Sequence, residues 1–195
     1  MSCSYTGDVP PPPPRPLVEK ASTPPPAPPP PIVPPTGSPE AFLVESLIYN
    51  GSPFKDHWAY FVRSRADDDI GVKIHATGDV RNGFKVEVKR SHDLTNTSDI
   101  PTKRVPLQWV DVQHFDENAM LNRGVEEIDE RPVCGFEATA YKAKAPGKTW
   151  NAAKDKDTSG KKVTVKDCQA WLRATLFEDR MFSHEVTVYL HAIEQ

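Results

Sequence analysis

Two stretches decide the fold: His57-Trp58-Ala59-Tyr60-Phe61-Val62-Arg63 and Ile70-Gly71-Val72-Lys73-Ile74-His75-Ala76-Thr77, joined by the charged turn Arg65-Ala66-Asp67-Asp68-Asp69. Both are rich in aromatic and β-branched residues, which predicts strands, and so short a turn predicts an antiparallel pair. Side chains alternate along a strand, so His57, Ala59 and Phe61 share one face while Trp58, Tyr60 and Val62 share the other. His57 opens the first strand and His75 stands near the end of the second. Antiparallel pairing places those two ends side by side.

The pattern continues outward. Gly78-Asp79 and Asn82-Gly83 are turn signals. The run Phe84-Lys85-Val86-Glu87-Val88-Lys89-Arg90 then alternates, with Phe84, Val86 and Val88 inward and the charged residues outward. These three segments form a meander. Residues 42–49 read as a strand before it, closed by Asn50-Gly51-Ser52-Pro53. Residues 103–110 read as another, which Pro106 pushes to an edge or a bulge. Residues 111–130 are acidic and expected to be partly helical. Residues 133–143 fit a strand or a short helix, and 144–162 a loop or lid. After Thr164 the period changes to that of a helix, through Val165, Cys168, Trp171, Leu172, Thr175 and Leu176. Thr164-Val165-Lys166-Asp167 fits a T-x-x-D start with Thr164 as the N-cap. Ser183 is placed to cap a last segment that reads as helix or strand. The class is α+β, an antiparallel sheet followed by helix, with no internal repeat.

Composition separates this domain from the segment before it. The chain has 195 residues and 21 prolines, and sixteen of those prolines lie in the first 40 positions. Residues 1–40 therefore read as a disordered Pro-rich tail that favours polyproline II, and 41–195 as one domain. Within the tail, Pro10 to Arg15 fits the P-x-x-P-x-Arg pattern of an SH3 ligand, so an SH3-type partner and a bare spacer both stay open. Lys and Arg number 24 against 27 Asp and Glu, a net charge of -3. That balance argues against bulk nucleic-acid binding and charge-held membrane association. The lysines at 142, 144, 148, 154, 156, 161 and 162 read as a solvated loop. No apolar run is long enough to span a bilayer, and the N-terminus lacks the features of a signal peptide. Three cysteines, Cys3, Cys134 and Cys168, suggest neither a disulfide framework nor a metal site. A soluble, reducing, cytoplasmic location is expected, with no cofactor.

One of the three thiols, Cys168, is a candidate for covalent chemistry. Cys168 falls in the first turn of its helix, where unpaired backbone N–H groups favour thiolate. Asp167 beside it works the other way. A nucleophilic cysteine needs a base, and the base needs an orienter. The adjacent strand-end histidines, His57 and His75, supply candidates for both. The alternative is that Cys168 is simply a core residue beside Trp171 and Leu172.

Asp56-His57-Trp58-Ala59-Tyr60-Phe61-Val62, Ile74-His75-Ala76 and Asp167-Cys168-Gln169-Ala170-Trp171-Leu172 together resemble the lecithin:retinol acyltransferase-like proteins. These are a circularly permuted branch of the papain-like NlpC/P60 superfamily. The chain is also similar, from Ser46 to Leu176, to a group of fungal proteins with H-W-A, G-D and N-C-Q-x-W landmarks. The resemblance implies a permuted papain-like fold, with Cys168 as nucleophile, His57 as general base and His75 as the orienting third member. Asp167 stands where the family has Asn, and Gln169 where it has Glu. The activity implied is that of a cysteine-dependent acyl hydrolase or acyltransferase working through a thioester on an amide, peptide or ester. Trp58, Tyr60, Gln169 and Trp171 are candidates to line the substrate site. The alternatives are a catalytically silent domain of the same fold that binds a ligand or protein, and a scaffold whose working part is the tail.

Overall fold

The structure is a computed structural model that describes residues 28–148, 166–178 and 181–193. The alternating segments become strands β1 (Ala41–Tyr49), β2 (His57–Arg63), β3 (Ile70–Asp79), β4 (Gly83–Asp93) and β5 (Lys103–Asp111), and Glu127–Asp129 adds a short β6. They form one antiparallel sheet in the order β5-β1-β2-β3-β4-β6. The chain therefore leaves the meander after β4 and returns to pair β5 with β1. Pro106 lies on that outermost strand, next to the shift in register between Val44 and Glu45 of β1. A residue without an N–H is tolerated at such a place. β1 sits between two partners and is buried along almost its whole length.

Helices α1 (Glu117–Met120), α2 (Gly135–Lys142), α3 (Cys168–Thr175) and α4 (His184–Ala192) follow. The stretch 111–130 divides into α1, two 3-10 turns and β6, and 133–143 resolves as helix. The last segment is helical despite Val186, Thr187 and Val188. Val186, Tyr189 and Leu190 are buried at helical spacing, and Ser183 accepts from Val186 N–H as its cap. The main core lies between the helices and one sheet face, with Trp58, Tyr60, Val72, Ile74 and Val88 against Phe136, Trp171, Leu172 and Leu190. A second, smaller cluster on the other face holds Leu47, Tyr49, Ala59, Phe61 and Leu94.

Two expectations change. The α3 N-cap is Asp167, which accepts the Ala170 N–H at 3.0 Å, so the helix begins at Cys168 and not after Thr164. Thr164 lies outside the described residues, as do the docking motif Pro10–Arg15 and the loop residues 149–162. The charged residues of β4 do not all face outward. Arg90 is 2% exposed and shares the inward face with Val86 and Val88. It donates to both oxygens of Glu137 on α2, at 2.9 and 3.2 Å, and to Asp129 on β6. A buried guanidinium bridges strand and helix where alternation alone predicts an apolar residue.

Candidate active site

Cys168 meets the backbone beside His57 at the start of β2 from the main-core side, while the His57 and His75 rings lie on the opposite face of the sheet. α3 packs on β2 and β3, anchored by Trp171 and Leu172 and by the Tyr60 hydroxyl donating to the Leu172 carbonyl at 3.0 Å. That packing brings the helix N-terminus to the strand end. The Cys168 thiol points at the Asp56 carbonyl at 3.9 Å, and the same carbonyl accepts Gln169 Nε2–H at 2.9 Å. The backbone N–H of Trp58 favours the charged form of the sulfur electrostatically. Cys168 thus lies against the two residues that flank His57.

The His57 ring follows the alternation of β2 and faces Tyr49, 5.9 Å away between ring centroids, on the side of the smaller cluster. His57 Nε2 lies 2.8 Å from His75 Nδ1. His75 Nε2 in turn lies 3.4 Å from Oε1 of Glu87, its directly paired neighbour on β4. This chain of partners assigns the tautomers. A carboxylate oxygen accepts the Nε2–H of His75, which leaves His75 Nδ1 as acceptor. His57 must then donate through Nε2, and its Nδ1 carries the free lone pair. Among the described residues no hydrogen bond occupies that Nδ1, and none joins either imidazole to the Cys168 sulfur.

Electrostatics set the resting state. Burial pushes the His57 pKa down to about 4, helped by the Lys73 and Lys89 charges and opposed by Asp99. Burial and the Lys73 charge also lower the His75 pKa. Lys73 is fully buried in β3, 2.8 Å from Asp99 and 4.1 Å from the Tyr49 ring centre. The Cys168 thiol is moved up, first by burial and also by Asp167, while the N–H groups of Trp58, Gln169 and Cys168 itself pull it down. The helix-start argument for a low thiol pKa is therefore outweighed by burial. At neutral pH the proton stays on sulfur and both rings are neutral.

These shifts make stability depend on pH. His57 binds fewer protons folded than unfolded between its native pKa of about 4 and the ordinary value of 6.5. Stability is therefore present above about 6.5 and is lost as pH falls through that window. The thermal midpoint should drop between pH 7 and pH 4.5, and His57→Asn should flatten that dependence. An unchanged slope would contradict the assignment.

The expected substrate-lining residues occupy other roles. Trp58, Tyr60 and Trp171 are 1–2% exposed in the main core. Tyr60 is bonded to Thr175 and Leu172, and Trp171 Nε1–H donates to the Ala143 carbonyl at 3.1 Å. They seat α3 on the sheet rather than wall a cleft. Gln169 is fully buried, and among the described residues its Oε1 has no partner. Glu87 touches His75 and the Lys73 charge acts on both histidines, although no motif in the sequence marks either residue. Glu87 is detectable as the antiparallel partner of His75, once the β3–β4 register is counted from the Asp79–Gly83 turn.

Among the described residues no helix is long and apolar enough to cross a membrane, and no cluster of His, Cys, Asp and Glu is built to hold a metal ion. Neither the curated proteins nor the solved structures contain a match to this chain. A family model described as a family of unknown function (DUF6540) matches residues 43–181, and the chain belongs to that family.

Proposed function

We propose that the domain is a cysteine-dependent acyl hydrolase or acyltransferase of the permuted papain-like kind, with Cys168 as nucleophile, His57 as base and His75 as positioning residue. One observation carries this reading. A Glu87–His75–His57 hydrogen-bond chain ends in an Nδ1 lone pair on His57, the residue next to the Asp56 carbonyl that accepts from the Cys168 thiol. In the reaction the thiol proton passes to His57 Nδ1 as sulfur attacks the acyl carbonyl carbon. The carbonyl electron pair moves onto oxygen. Collapse of the tetrahedral adduct expels an amine or alkoxide, which takes the proton from His57 and leaves a thioester on Cys168. Water or an acceptor hydroxyl or amine then gives its proton to His57 and attacks the thioester, and the departing sulfur is reprotonated. Because the resting pair is neutral, the base acts during attack rather than by holding a preformed thiolate.

Incubation with activated acyl esters, followed by intact-mass measurement, tests the reading. One acyl group per chain is expected, placed by peptide mapping on Cys168 and absent in Cys168→Ala. Alkylation of Cys168 by iodoacetamide should rise about tenfold per pH unit between pH 7 and 9, as for a thiol protonated at neutrality. No acylation, or acylation that survives Cys168→Ala, would defeat the proposal.

A second reading is favoured by a specific observation. The sulfur is bonded to backbone and not to an imidazole, and Asp167 raises its pKa. A catalytically silent domain of this fold, binding a ligand or a protein, has those properties. It is the reading left standing if Cys168 takes no acyl group.

A further inference from the structure

The segment just before β1 is placed as a ligand would be. Trp109, on the outermost strand β5, donates its indole N–H to the Pro34 carbonyl at 2.9 Å. Gly37 lies flat on the same ring, so close that a Cβ there would fall inside the indole. The Arg63 guanidinium stands 5.8 Å from the indole centre, and Arg65 donates to the Pro39 carbonyl at 3.1 Å. Exposure alternates along the segment: Pro31 and Val33 are half-buried, while Ile32 between them is 92% exposed. A cavity of about 670 Å³ lies between Pro31–Pro34 and a wall that includes Gln108, Trp109, Met181 and Phe182.

Each of these features matches how aromatic grooves read proline-rich chains. Proline removes backbone donors, so its neighbours' carbonyls stay available, and a tryptophan N–H supplies the missing partner. The pre-set φ of proline also lowers the entropy lost on docking. A spacer needs none of this, and no glycine would be required at position 37.

The geometry points to a polyproline-recognition groove headed by Trp109. Its resident ligand is this chain's own Pro31–Gly37. When that segment is unseated, the groove takes in trans a proline-rich peptide with glycine three positions after the residue whose carbonyl meets the indole. Resident and groove are joined through Ser38–Glu40 alone, a tether short enough to give millimolar-scale effective concentration, so the segment in cis excludes free peptide. The groove is independent of the chemistry at Cys168.

The test uses the full chain and the indole N–H resonance of Trp109, identified by its loss in Trp109→Phe. Gly37→Val should shift that resonance while leaving those of the core residues Trp58 and Trp171 in place, which also shows that the domain is folded. Adding a synthetic peptide of sequence PPPPIVPPTGSPE (residues 28–40) should return the resonance saturably towards its native position. In the unsubstituted chain the same peptide should act at least about tenfold more weakly. A peptide with valine in place of glycine should have no effect. Should Gly37→Val fail to fold, Trp109→Phe keeps an aromatic side chain but removes the indole and its donor, and it should make residues 28–40 more sensitive to protease. An unmoved indole resonance, equal action of the two peptides, or unchanged protease sensitivity would overturn the inference.

Discussion

Arg90→Met is expected to destabilise the domain by about 3–5 kcal/mol, the cost of leaving a buried ion without its partner. Glu137 is fully buried, and two of its hydrogen bonds come from Arg90. The third comes from the Val133 N–H at 2.8 Å, which cannot neutralise a carboxylate. Arg90 also caps the Arg131 carbonyl at 2.9 Å and holds Asp129, so β4, β6 and α2 are all tied to one side chain. A loss of that size is a large part of the roughly 5–15 kcal/mol of an ordinary domain. Urea unfolding of Arg90→Met should show the drop, and adding Glu137→Leu should recover part of it by removing the stranded charge. Equal stability of Arg90→Met and the native chain would mean that the network is solvated.

His57→Ala should slow acylation of Cys168 by about 100–10,000-fold, the range for loss of a general base. The fold should survive, since His57 sits at the strand end rather than in either apolar cluster. Glu87→Ala should slow the same step less, by releasing His75 to the other tautomer. Imidazole nitrogen shifts separate that role from mere packing. In the native chain His57 should carry its proton on Nε2, and in Glu87→Ala the His57 and His75 tautomers should mix. Unchanged tautomers with an unchanged rate would remove Glu87 from the site. A rate in His57→Ala within a few-fold of native would remove His57 as the base.

The sheet is legible in the residues because alternation is a local signal, and short turns fix antiparallel neighbours. That is why β2, β3 and β4 and the meeting of His57 with His75 can be read without coordinates. What alternation cannot report is whether the outward face is itself covered. Lys73 and Glu87 fall on that face, yet Lys73 is fully buried against Asp99 and Glu87 is mostly covered beside His75. Arg90 shows the reverse limit. Its partner Glu137 lies 47 positions away, and no period in β4 announces it. Thr164 and Asp167 are both good caps for one helix start, and only the extended backbone at Asp167 decides between them. By chemistry alone Trp58, Tyr60 and Trp171 suit a substrate wall. The docking of α3 on the sheet makes them core.

The span of 112 positions between Asp56 and Cys168 has a bearing on biosynthesis. A ribosome delivers both imidazoles and their supporting carboxylate long before it delivers the sulfur. Until α3 has left the exit tunnel and docked, the nascent sheet holds its histidine pair without the thiol that the proposed reaction needs.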